Sequence, residues 1–252
     1  MNTVFTTRQP RDWWNTVGLG VVAVIAFLII GFTVWSSGST GAHKTNKSAA
    51  STTPTSVKAA VTTDQGAPPS LANAGEYGEN LYDYAKVSDW KNSNVKLVAL
   101  KDAVKNVRAE VSNKGAAVDR LDGYVAALDR AVTARDRQSA MREANQVTLD
   151  VADMTAVYKL TVPVGVTKLD YYGRELEVWA QAKDANKLQA TVREMRGTWN
   201  SLRPSIEAHS ATEAKKFETL VTHVESAKTA ADYSRVATLV LNEVDNLEKL
   251  FH

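Results

Sequence analysis

The side chains able to do chemistry are few and scattered. Histidine occurs only as His43, His209, His223 and His252, and there is no cysteine. A chain without cysteine has no disulfide, no thiol nucleophile, no Cys-ligated zinc or iron–sulfur cluster and no thioether-linked haem. His209 and Glu213 are four apart, a spacing that can bring two ligands together on one helix. Ser210 between them reads as a helix cap, so His209 is expected ahead of the helix, and a metal site needs three or four convergent ligands. His223 and Glu225 flank an apolar stripe of Phe217, Leu220, Val221 and Val224, as a solvated edge would. The carboxylate pairs Asp150/Asp153 and Glu243/Asp245 read as solvated helix faces. No Ser–His–Asp spacing, His-Glu-x-x-His motif or phosphate-cradling glycine loop occurs. No catalytic, metal or cofactor residue is therefore assigned, and the protein is read as a non-enzyme.

What remains is architecture. The 252 residues are 44% hydrophobic and 23% charged, so the chain as a whole has the composition of a folded protein. Lys+Arg 30 against Asp+Glu 28 leaves +2, which excludes a strongly basic nucleic-acid binder. Composition divides the chain into 1–35, 36–70, 71–160 and 161–252. The first segment carries Val17 to Val34, 18 residues without a charge. At 1.5 Å per residue this spans about 27 Å, close to the ~30 Å of a bilayer core. Trp13, Trp14 and Trp35 bracket it as interfacial anchors. A cleaved signal peptide has a shorter apolar region. Gly18, Gly20, Ala23 and Gly31 offer small surfaces for helix packing in the bilayer. Arg11 lies closer to the run than Lys44, which predicts a cytoplasmic amino terminus and a periplasmic body, on a bacterial inner membrane.

Residues 36–70 include 14 Ser or Thr, 3 Pro and 3 Gly and no aromatic, the composition of a linker that cannot bury enough surface to order by itself. It reads as a plain tether, or as an arm that orders along a partner. From residue 71 only Pro163 and Pro204 interrupt a helix-forming composition.

A repeat runs through the body. Asp136, Asp184 and Asp232 are spaced 48 apart, and apolar positions recur in step around them, as in Leu121/Leu169/Phe217 and Ala144/Val192/Val240. An earlier copy surrounds Asp89: Tyr77-Gly-Glu-Asn-Leu-Tyr-Asp-Tyr-Ala matches Tyr172-Gly-Arg-Glu-Leu-Glu-Val-Trp-Ala at an offset of 95. Each copy is a helix pair with stripes at i, i+3, i+4, i+7, and two copies make a unit of about 95 residues present twice. The fold expected is all-α: a single transmembrane helix followed by two tandem antiparallel four-helix bundles, or one eight-helix stack. Thr133-x-x-Asp136 and Thr229-x-x-Asp232 read as caps, so the aspartates recur for capping and not for chemistry. Asn113-Lys-Gly115, Pro163-Val-Gly165 and Pro204 are expected to break helices between copies. Within copies the caps favour tight turns.

Tyr77/Tyr172 and Tyr84/Trp179 fall on the core stripe. Gly78 and Gly173 beside them predict close helix approach. Tyr82 and Tyr171 fall off the stripe and are expected to contact a partner. The apolar connection containing Val162, Pro163, Val164 and Val166 either packs between the halves or docks a partner.

The second half, through Glu175-Leu-Glu-Val-Trp-Ala-Gln-Ala-Lys-Asp184-Ala-Asn-Lys-Leu188…Met195-Arg, Phe217…Leu220-Val221 and a last helix to Phe251, resembles the small periplasmic b-type cytochromes built as four-helix bundles. The resemblance implies that fold. The Met that holds haem in that family falls near Leu169, and its His falls beyond His252; both ligands are absent, so no haem is expected.

The functional expectation is an accessory or scaffold subunit of a membrane protein complex, respiratory or photosynthetic, contacting lipid and the other subunits and no nucleic acid. The alternatives are an extracytoplasmic bundle that binds or senses a small ligand or metal, and a b-type electron carrier.

Overall fold

The computed structural model describes residues 66–111 and 115–252. The apolar run at 17–34, Trp13, Trp14, Trp35, Gly18, Gly20, Ala23, Gly31 and most of the linker lie outside the described residues. Among the described residues no helix is long and apolar enough to cross a membrane.

The described chain is all-α. Eight helices follow one another: α1 (Pro69–Lys86), α2 (Trp90–Glu110), α3 (Gly115–Ala134), α4 (Arg137–Thr155), α5 (Val164–Ala182), α6 (Ala185–His209), α7 (Ala211–Ser226) and α8 (Ala230–Lys249). Local chemistry sets their starts. Pro69 opens α1, where its missing N–H costs no hydrogen bond. Asp89, Asp136 and Asp184 cap α2, α4 and α6 by accepting from the backbone N–H of Asn92, Ser139 and Lys187 at 3.0–3.1 Å. Asp232 differs: Thr229 caps α8, and Asp232 answers it from the first turn in a reciprocal capping box. The recurrent aspartates thus serve helix starts. Thr133, expected to share a cap with Asp136, lies inside α3 instead. The residue before each capping aspartate, Ser88, Arg135 or Lys183, takes the left-handed conformation (φ 54 to 58°) and reverses the chain without glycine. The turns from α1 to α2, α3 to α4 and α5 to α6 are therefore tight.

Pro204 does not break a helix. It sits inside α6, which continues to His209. Both Pro204 and Asn200, whose carbonyl loses its helical donor, are exposed, so that carbonyl lies on the solvent side of the helix.

Helices α1 to α4 close on one core. α1 packs on α2 and α4, and α3 packs on the same two. That core holds Leu71, Leu81, Leu100, Leu121, Leu128 and Met141, all fully buried. Helices α5 to α8 repeat the pairing around a second core with Leu169, Leu176, Met195, Trp199, Phe217 and Val224. α4 packs antiparallel against α5, and Val178 of α5 reaches into the first core. Two crossings rest on glycine. A Cβ on Gly78 would stand 3.1 Å from Thr148 and Val147 of α4, and one on Gly173 would stand 2.6 Å from Leu241 of α8. The close approach expected at both glycines is present.

Candidate functional site

Helices α1, α4 and α5 meet along a polar seam. Glu79, Tyr82 and Lys86 share one face of α1 because they are three and four residues apart. Asp170, Arg174 and Glu177 share one face of α5 for the same reason. The two faces run parallel, so residues 95 apart in sequence meet. Tyr82 donates to Glu177 at 2.8 Å and to the Arg174 carbonyl at 3.3 Å. Lys86 donates to both oxygens of Glu177 at 2.8 and 2.7 Å. Arg174, 1% exposed, lies 3.1 Å from Asp170 and 3.5 Å from Glu79, over the Tyr82 ring.

A second row faces α4. Asn145 donates to Glu175 at 3.0 Å and to the Tyr171 carbonyl at 3.1 Å. Gln146 donates to the Tyr171 hydroxyl at 2.9 Å, and the Trp179 indole donates to Glu175. Burial pushes the Glu175 carboxyl up against the pull of the Trp179 and Asn145 donors. Burial, then the Glu177 charge, pushes the Tyr82 phenol well up, and burial does the same to Tyr171. Both hydroxyls stay protonated; Tyr82 donates to Glu177, and Tyr171 accepts from Gln146. Charges buried this deeply are costly unless paired, and removing one partner costs more than the pair itself contributes. The seam is a clamp: it fixes the rotation of α5 about its axis and its height on α1.

Tyr82 and Tyr171 therefore do not face an external partner. They are 1% and 8% exposed and are covered by the chain's own helices. A tyrosine off the stripe of its own helix set points at the neighbouring set. Of the two readings of the connection at residues 162–166, packing is the one found, into the second core. Val162 and Val166 are buried in the second core and Pro163 and Val164 are half-buried, so the segment closes a core and offers no open apolar patch.

Several other titratable groups are also engaged helix to helix. Arg196 of α6 binds Glu218 and Glu225 of α7 at 2.7 Å, and the buried Trp199 indole donates to Glu218 at 2.7 Å. Asp150 binds Arg120, and Asp153 binds Lys168 at 2.7 Å. Glu243 faces Glu213 across α7 and α8. Its own carboxyl is pushed up, by burial first, while its hydrogen bond and Lys216 hold Glu213 down. His209 ends α6 and stacks on Phe251 at 4.6 Å, while Ser210 caps α7, so His209 and Glu213 belong to different helices. Among the described residues no group of three His, Asp or Glu side chains is placed to hold a metal ion.

Arg174 is the residue that sequence reasoning missed. The signal was present: the sequence sets opposite charges at Glu79 and Arg174, positions 95 apart. Searches with this chain find no matching family model, curated protein or solved structure.

Proposed function

We propose that the protein is a membrane-anchored, non-enzymatic accessory or scaffold subunit of a membrane protein complex. Its body is two tandem four-helix bundles from a duplicated unit of about 95 residues. The segment at 17–34 spans the bilayer with the amino terminus cytoplasmic, and the polar linker carries the body on the periplasmic side.

One observation carries this reading. The buried charges Arg174, Glu79 and Glu177 are used between α1 and α5, with Asp170 holding Arg174 from within α5, and they join the two halves into one body suited to holding other subunits at a fixed distance. The α1–α2 hairpin supplies an outward contact: Val87, Val95 and Val98 are 64%, 66% and 62% exposed, the last two on one face of α2. The experiment is purification of the full chain from gently solubilised membranes. Co-migration with a larger complex, weakened by V95D/V98D, supports the reading. A lone monomer under those conditions refutes it.

A further inference from the structure

At the end of the second half, where α6 begins and α7 gives way to α8, there is an open cleft of about 690 Å³. That volume lies in the range of small organic ligands, roughly 300–1,000 Å³. Leu188, Val192 and Tyr233 form its apolar side, and Lys183, Arg193 and Lys228 stand round it. None of these three cations makes an ion pair or a side-chain hydrogen bond among the described residues. Glu225 also borders the cleft, but Arg196 engages both its oxygens at 2.8 and 2.7 Å. The cleft therefore faces solvent with net positive charge beside an apolar wall.

The first half supplies an internal comparison. Ser88 and Lys183 share the left-handed conformation, and Asp89 and Asp184 share the cap, so the two turns are in register at an offset of 95. In that register Trp90 corresponds to Ala185, Ser88 to Lys183 and Val98 to Arg193. Trp90 packs on the first core. The second half has a methyl in its place and two cations where the first has a hydroxyl and a valine. Its α7 is also shorter, 16 residues against 20 in α3, which brings the turn bearing Lys228 to the cleft. The two halves keep their caps and cores and differ at this spot in both space and charge.

We propose that this cleft binds a small amphiphilic organic anion. A carboxylate or phosphate head sits among Lys183, Arg193 and Lys228, and a short apolar body lies on Leu188, Val192 and Tyr233. The cleft is at the opposite end of the helices from Pro69. This goes beyond the scaffold reading and does not depend on it.

The test is calorimetric titration of the full chain with hexanoate and phenyl phosphate, against hexylamine and inorganic phosphate as controls. At least one of the two anions is expected to bind saturably, one per chain, and at least tenfold more tightly than either control. A185W fills the cleft as Trp90 does, and K183S/R193V restores the charges of the first half; each is expected to weaken binding at least tenfold with the helical circular dichroism unchanged. Should A185W lose helicity, K183S/R193V decides. Absence of saturable binding, equal binding of either control, or full binding by the helical variants overturns the proposal.

Discussion

Replacing Gly173 by alanine tests the packing of the second half at its closest point. In an exposed helix interior, Gly→Ala stabilises by about 0.8–1 kcal/mol, because glycine loses the most backbone freedom on folding. Gly123 and Gly197 are exposed helical glycines with nothing within 4 Å of a new Cβ, so G123A and G197A report that gain alone. At Gly173 the same methyl would stand 2.6 Å from Leu241 Cδ2 and 2.9 Å from Cγ, and Leu241 is itself buried. Overpacking of this kind costs about 1–3 kcal/mol. The net effect of G173A is then a loss of about 0–2 kcal/mol, which separates it from G197A by about 1–3 kcal/mol. For a body of this size 1 kcal/mol moves Tm by about 2–4 °C. Thermal unfolding followed by circular dichroism should therefore show G197A above wild type and G173A at or below it. In an L241A background the obstruction is gone, and G173A should gain as G197A does. If G173A raises Tm as much as G197A in the wild-type background, α5 and α8 do not approach as described.

R174M removes the cation between Asp170 and Glu79 and is expected to cost about 3–5 kcal/mol in urea unfolding; E79Q/D170N/R174M should recover most of it, and no recovery would mean the charges are not the cause. Y82F deletes a donor to a buried carboxylate that Lys86 still holds, for a loss of about 1.5 kcal/mol; an unchanged midpoint would contradict the seam. The hydrogen bonds from Arg196 hold Glu218 and Glu225 below the usual carboxylate range. A depressed carboxyl adds stability above its unfolded pKa, about 4.3, and that stability is lost as pH falls through the folded value. R196A should thus have a lower Tm than wild type at pH 7, with the gap closing below about pH 4; a gap constant from pH 7 to 3 would reject this assignment. D184A should cost about 1 kcal/mol and D184N much less, since only the latter keeps an acceptor for the Lys187 N–H.

The features legible in the sequence are those set by neighbours along the chain. Asp89, Asp136 and Asp184 announce helix starts because a cap is a three-residue event, and Gly78 and Gly173 announce crossings because only a missing side chain permits them. Pro204 misled because its effect depends on whether its face is wet, which the one-dimensional pattern leaves open. Tyr82 and Tyr171 misled for a related reason: polarity of a helix face does not distinguish water from a second helix set carrying matching charges. The cleft near Ala185 follows from a side chain that is small where its counterpart Trp90 is large, and that matters only once the two turns are superposed.

The left-handed residues at the hairpin turns have a practical consequence. Ser88, Arg135 and Lys183 each hold a conformation that costs an L-residue about 1–2 kcal/mol and a glycine almost nothing. Glycine at Ser88 and Arg135 would relax two of these kinks without touching either core. The natural chain therefore lies below the thermal tolerance its own scaffold permits, and these two positions are where an engineer would begin to harden it.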